Sequence, residues 1–283
     1  MHVRVGCRIV YESQYPTPTM LVVRPTHDDQ HRLVEERRVL DPIVPLDEYT
    51  DSFGNRIWRL VMPVGPLKIE YDTIVDVSPD PDPILPHLLK TPIEELPHEV
   101  LSFTLPSRHS PSDLFIKEAW AMFGHIPGGW AQVQAVCDWL HSNVTYGAGS
   151  SNSSTTGWDA YQQRMGVCRD FAHLGVSFCR ALNYPSRYVC GYLPDIGVPY
   201  DPAPMDFHAW FEVYMNGTWH TFDARHNCPR TGRVMIANGR DAVDVALSTV
   251  YGNALLSEIK VWADQVDEQQ RLAPLSIESS QHE

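Results

Sequence analysis

The sequence predicts an α+β protein in two parts, a β-rich N-terminal unit and a mixed core in which a helix carries a cysteine against an antiparallel sheet. Three observations predict it. Helical periodicity is nearly absent before residue 85, whereas apolar and polar residues alternate repeatedly. Prolines then cluster from Pro79 to Pro97. Beyond residue 110, helical spacing gives way to the alternation of a hairpin. A chain of 283 residues also exceeds the common single-domain size. The divisions expected are a β-sandwich-like domain at 1–85, a proline-rich linker at 86–109, the core at 110–270 and a tail at 271–283.

Each element has a local reason. From Met1 to Tyr11, His2, Arg4 and Arg8 alternate with Val3, Val5, Cys7 and Ile9, the pattern of a half-buried strand. Strands are expected again over Thr19 to Arg24, Asn55 to Met62 and Leu67 to Val77, with Asp51-Ser52-Phe53-Gly54-Asn55 as a turn. Pro79, Pro81, Pro83, Pro86, Pro92 and Pro97 bias their stretch of chain toward extended or turn geometry. Ser110-Pro111 reads as a helix start, serine as the cap and proline at the first position, with a stop near Gly124. A second helix is expected from Trp130 through Val133, Val136 and Leu140 to Asn143. The run 147–157 is polar and flexible in composition, and Ser276 to Glu283 reads as a frayed tail.

The chemistry concentrates between Gly166 and Asn227. After Cys168, apolar residues recur at Phe171, Leu174, Phe178 and Leu182, steps of three and four that predict a helix ending at Asn183-Tyr184-Pro185. Cys168 then lies in the first turn, where free backbone N–H groups and the positive end of the helix dipole favour a thiolate. His208 to Met215 alternates, Asn216-Gly217 is the strongest two-residue hairpin signal, and Thr218 to Asp223 resumes the extended pattern. This turn pairs Met215 with Thr218 and makes His208 and Asp223 diagonal neighbours on one face, about 7–8 Å apart at the backbone. A carboxylate that close holds an imidazole's tautomer and stabilises its charged form. Taken singly, a cysteine is more often a small buried hydrophobe, and Cys7, Cys137, Cys179, Cys190 and Cys228 read that way. Asp223→Ala is expected to leave folding nearly unchanged while lowering turnover.

Three pieces of this window carry a family resemblance: Gly-Val-Cys-Arg-Asp-Phe-Ala-His-Leu from Gly166, His-Ala-Trp-Phe-Glu-Val from His208 and Phe-Asp-Ala-Arg from Phe222. They resemble the core motifs of the transglutaminase-like superfamily, and most closely its bacterial branch described as cysteine proteases. The resemblance implies a papain-like transglutaminase core and a Cys168, His208, Asp223 catalytic triad. It also implies a thiol acyl-transfer enzyme acting on a peptide or protein. A cysteine peptidase or amidase cleaving a peptide or isopeptide bond is the preferred reading. Amine transfer to a glutamine-derived acyl-enzyme and a non-catalytic binding scaffold are the alternatives. Many relatives carry Asp-Pro-Thr where this chain has Asp223-Ala224-Arg225, so Arg225 either contacts a substrate or pairs with Asp206.

Composition narrows the partners. A net charge of −13 argues against nucleic acid and anionic membrane surfaces. No stretch approaches the ~20 apolar residues of a membrane helix. Met1 to Tyr11 lacks a basic-then-apolar leader pattern, and six cysteines suit a reducing compartment, so the cytoplasm is expected. No Cys-x-x-Cys, His-Glu-x-x-His or calcium-loop pattern occurs, so no metal or cofactor is expected; His27 and His31 belong to a charged stretch. His173 and Asp170 are expected to serve structure. Trp158, Trp210 and Trp219 either line an acyl-binding cleft or pack in the core, and the Asp195 to Asp206 loop either selects substrate or is solvated surface. The segment 239–245 suggests no role, and the sequence leaves the oligomeric state undetermined.

Overall fold

The computed structural model describes residues 1–26, 32–199, 201–267 and 269–272. His27, His31 and the tail at 276–283 lie outside the described residues. The chain opens with six strands, β1 (His2–Ser13), β2 (Thr17–Leu21), β3 (Arg32–Asp41), β4 (Leu46–Thr50), β5 (Arg56–Met62) and β6 (Gly65–Asp76). The core comes next as α1 (Ile116–Phe123), α2 (Trp130–Asn143), β7 (Thr145–Tyr146), α3 (Gly157–Gln163), β8 (Met165–Gly166) and α4 (Cys168–Ala181). It continues through β9 (Ser186–Tyr192), β10 (His208–Met215), β11 (Thr218–Phe222) and β12 (Val234–Gly239), and the chain closes with β13 (Ser248–Val250) and β14 (Ala254–Val266).

The first strands are paired as their alternation requires. β1 runs antiparallel to β6, His2 opposite Asp76 and Ser13 opposite Gly65. One sheet is ordered β14-β1-β6-β3 and a second β13-β2-β5-β4. Trp58 of β5 meets Tyr71 of β6 edge-on at 5.6 Å between ring centroids, joining the two sheets through their apolar faces. The turn at residues 51–55 forms as expected, because the Asp51 carboxylate accepts from the amides of Phe53 and Asn55 at 2.8 and 2.9 Å.

One expectation changes here. Strands β13 and β14, which the sequence reading leaves in the core, pair with β2 and β1. The pattern was present: Ile259, Val261 and Ala263 alternate with Glu258, Lys260 and Asp264, and β1 of a sheet with β6 on one side still offers a free edge to a distant strand. The proline-rich stretch takes the turn geometry its prolines favour. It winds into short 3-10 turns at Ile93–Glu95 and His98–Thr104, and Phe103 is buried against Trp219 at 5.2 Å.

In the core, α2 occupies the expected span, whereas the helix expected from Ser110 begins as a 3-10 turn at Ser112–Phe115. Ser110 makes no capping bond, because Pro111 adopts ψ 69° and sends the chain out of helical geometry. Helix α3 was not foreseen, although Thr156-x-x-Asp159 is a capping box and both of its bonds form. Helix α4 is buried on every side beyond its first turn, not along one apolar stripe. Two of its polar residues are satisfied by carbonyls: Ser177 donates to the His173 carbonyl at 2.7 Å, and Arg180 donates to the carbonyls of Leu105, Ser186 and Arg240. It packs on β10 through Gly175, where a Cβ would come within 2.3 Å of the Phe211 ring. The core sheet is ordered β11-β10-β9-β12.

Candidate active site

Three elements deliver the side chains that the sequence singles out. Cys168 is the first residue of α4, and the Asp170 carboxylate secures that helix start by accepting from the Val167 amide at 2.8 Å. His208 is the first residue of β10. Asp223 comes directly after the last residue of β11, and the β10–β11 pairing has the predicted register, with Met215 opposite Thr218 and Phe211 opposite Phe222. Asn216 and Gly217 both adopt positive φ, 50° and 85°, as the tight turn demands.

The register brings His208 and Asp223 together. His208 Nε2 lies 2.8 Å from Asp223 Oδ2, with both side chains almost fully buried. With Nε2 held by Asp223, Nδ1 is the imidazole nitrogen left for Cys168, whose thiol interacts with this ring. The half-buried Cys168 Sγ also lies 3.9 Å from the Phe207 carbonyl. Burial alone would lower the His208 pKa, but the charge and hydrogen bond of Asp223, with Cys168 adding to them, hold it above the ordinary value. Burial would raise the Asp223 carboxyl; the positive charges of His208 and Arg233 prevail and hold it well below the usual range.

Arg233, Asp82 and His226 complete the surroundings, and none was foreseen from sequence. Arg233 Nη2 donates to Asp223 Oδ2 at 3.0 Å and its Nε to Asp82 Oδ2 at 2.8 Å. The His226 ring lies 5.0 Å from that of His208, and burial pushes its pKa down to about 4, so it is neutral. Ring nitrogens of His208 and His226 and a carboxylate oxygen of Asp223 lie within 4.8 Å of one another, a spacing a metal ion can span. Asp223 Oδ2 is already shared by an imidazole and a guanidinium, and that guanidinium repels a cation, so the donor set fits a hydrogen-bonded row. An apolar cavity of about 510 Å³ opens beside Asp223 and Arg233, walled by Pro83, Ile84, Trp130 and Phe222.

Other expectations resolve locally. Arg225 lies beyond the end of β11 at Phe222, and its guanidinium sits 4.0 Å over the Tyr146 ring. His173 packs between His109 and Tyr188, with centroids at 5.2 and 4.8 Å. Trp210 is buried beneath Arg233, Trp219 packs on Phe103, and Trp158 packs on Phe115. Asp195 bonds Arg230 at 3.1 Å, and the Asp206 carboxylate accepts from the Phe207 amide. In the 239–245 segment, Asp241 accepts from the His109 amide and the Arg240 carbonyl accepts from Arg180, so this loop clasps α4.

A sequence profile described as the Transglutaminase-like superfamily matches residues 124–224, the span that carries Cys168, His208 and Asp223. A crystal structure described as a Putative Cysteine Protease from Cytophaga hutchinsonii is 34% identical and superposes with a TM-score of 0.86, covering 97% of this chain and 93% of that one. The chain belongs to the transglutaminase-like superfamily. An uncharacterized protein of Mycobacterium leprae is 32% identical over 136 residues, 46% of this chain and 47% of that one, so the match spans about half the length of that curated relative. An uncharacterized protein of Mycobacterium bovis is 29% identical over 272 residues, 86% of this chain and 84% of that one. The two parts of the molecule accordingly form a papain-like transglutaminase core and a β-rich N-terminal region. Among the described residues no helix is long and apolar enough to cross a membrane.

Proposed function

We propose that the protein is a cysteine peptidase or amidase that hydrolyses a peptide or isopeptide bond through Cys168, His208 and Asp223. The observation that carries the reading is the 2.8 Å bond between His208 and Asp223 beside a half-buried thiol at a helix start. The thiolate of Cys168 attacks the carbonyl carbon, and the oxyanion is met by backbone N–H groups at the start of α4, including that of Cys168. His208, protonated in the ion pair, gives its proton to the departing amine as the C–N bond breaks, leaving a thioester. His208 then takes a proton from water, which attacks the thioester and releases the acid and the thiolate, the proton returning the imidazole to its charged form.

Hydrolysis is favoured over amine transfer by the surface beside the nucleophile. The polar segment 147–157, exposed or half-buried except at Gly157, lies against α4, where Arg169 donates to the Asn152 carbonyl; a polar wall of this kind admits water to the acyl-enzyme, whereas aminolysis gains from its exclusion. The description of the 34% identical relative as a cysteine protease supports the same choice. Unpaired cysteines, six in all, fit a reducing compartment such as the cytoplasm. The deciding experiment incubates the protein with a peptide library and a labelled primary amine. Release of free acid is expected; label incorporated into products in preference to acid release would overturn the hydrolase reading, and no reaction of either kind would favour a binding scaffold.

A further inference from the structure

The row of groups at the site does not end at Asp223. Arg233 is buried with its guanidinium 5.1 Å from the centre of the Trp210 ring, and it joins the carboxylates of Asp223 and Asp82. Asp82 belongs to the proline-rich stretch ahead of the core, and backbone bonds fix it there. Its amide donates to the Arg230 carbonyl at 2.9 Å, and its Oδ2 accepts from the Arg230 amide at 3.0 Å. Asp82, Arg233, Asp223, His208 and Cys168 thus form one continuous series of alternating charge when His208 is protonated and Cys168 ionised.

We propose that Arg233 is a positioning residue that fixes Asp223 and sets the charge Asp223 presents to His208, with Asp82 setting Arg233 in turn. The inference rests on the nucleophile-and-base reading of Cys168 and His208. Both His208 and Arg233 bond the same oxygen, Asp223 Oδ2. A carboxylate oxygen shared with a guanidinium attracts an imidazolium less than an unshared one, so Arg233 restrains the rise that Asp223 imposes on His208. A base that held its proton too tightly would be slow to release it to a leaving amine, because general acid–base catalysis is most effective when the group titrates near the operating pH. Asp82 opposes this restraint by neutralising part of the Arg233 charge. Besides Asp223, Cys168 acts on His208 directly and His226 packs against its ring; Arg225 and Arg230 face His226, Asp206 and Cys168 face Cys190, and Arg169, Asp170 and Cys168 face Tyr188. None of these residues is itself changed in the Arg233 and Asp82 variants.

The test compares wild type, Arg233→Gln, Arg233→Lys and Asp82→Asn in the full chain. Cys168 alkylation by iodoacetamide is tracked by peptide mapping, and His208 protonation by NMR of isotope-labelled histidine, from about pH 5 to about pH 10. The pH at which His208 loses its proton is expected to move up in Arg233→Gln, to move down in Asp82→Asn and to stay near wild type in Arg233→Lys, which keeps the charge. A purely structural Arg233 would lower the melting temperature without opposite shifts in the two neutralising variants; shifts of the same sign, or none, overturn the inference. If Arg233→Gln does not fold, Asp82→Asn against Arg233→Lys decides, since Asn keeps an acceptor for Arg233. If mapping shows that wild-type Cys168 is not the thiol labelled first, the nucleophile reading fails, and that result is distinct from an unshifted His208 titration.

Discussion

Asp223→Asn removes one charge from the site and keeps the shape of the side chain. The native carboxylate accepts from His208 at 2.8 Å, Arg233 at 3.0 Å and the amides of Arg225 and His226 at 3.2 and 3.3 Å. An asparagine has one acceptor oxygen, so its NH2 must face one pair of these donors. Facing the Arg225 and His226 amides, it loses both of those bonds. Facing His208, it becomes a donor and selects the other imidazole tautomer, with the proton on Nδ1 toward Cys168. A buried donor left unpaired costs about 1–3 kcal/mol. Because Arg233 keeps Asp82, the loss should stay below the about 3–5 kcal/mol of a fully broken buried ion pair. The expected stability loss is therefore about 2 kcal/mol. The corresponding change in a serine triad lowers turnover about 10⁴-fold; a thiol is the better nucleophile, so about 10²–10⁴-fold is expected here. The assay is the rate of Cys168 alkylation near neutral pH, with urea unfolding in parallel. Labelling at the wild-type rate with an unchanged unfolding midpoint would refute the coupling of Asp223 to the thiol. The sequence alone suggests that Asp223→Ala leaves folding nearly intact; its burial against Arg233 makes that variant less stable than the asparagine one.

Limiting iodoacetamide at mildly acidic pH should modify Cys168 before exposed Cys228, while Cys7, Cys137, Cys179 and Cys190 are buried and their thiols pushed up, Cys7 to about 12; first labelling of Cys228 would count against Cys168 as the nucleophile. Gly175→Ala should cost about 1–3 kcal/mol, because its Cβ would meet the Phe211 ring at 2.3 Å; an unchanged melting temperature would show that α4 and β10 are not closely packed there. Stability should fall on both sides of neutrality. The Asp223 contribution is present above the unfolded carboxyl value of about 3.9 and is lost as pH falls through the depressed folded value, while the His208 contribution is present below about 6.5 and is lost as pH rises through the raised folded value. Urea midpoints across pH check this, and Asp223→Asn should flatten the acid side.

The parts of the site that the sequence discloses are those set by local rules. A glycine before a cysteine and helical spacing after it locate the start of α4. An Asn-Gly turn flanked by alternation fixes the β10–β11 register, and with it the side-by-side placement of His208 and Asp223. The hidden parts depend on contacts between residues far apart in the chain. Arg233 comes after a glycine in an irregular stretch, and nothing near it in sequence points to Asp82, 151 residues earlier. Helix α4 reads as amphipathic because Arg180 and Ser177 are polar; their partners are mostly backbone carbonyls, which carry no sequence signal. The two last strands escape for a related reason, since alternation predicts a strand but not the edge it will join.

That pairing bears on how the row of charges is built. β14 runs along β1, and β1 along β6, so the first and last strands share one sheet. The N-terminal ammonium donates to the Val77 carbonyl at 2.7 Å, just where the chain leaves β6 for the stretch that carries Asp82. Asp82 is five steps along the chain from Val77, a reach of at most about 18 Å. The β-rich region therefore anchors the stretch that delivers a carboxylate to Arg233. A proline-rich segment loses less conformational entropy on being ordered than a flexible one would, because each pyrrolidine ring already fixes φ. Prolines at Pro79, Pro81, Pro83 and Pro86 thus help hold Asp82 at Arg233. By this reasoning the N-terminal region is structurally coupled to the site, and replacing the prolines around Asp82 with glycine should loosen Arg233 before it unfolds either sheet.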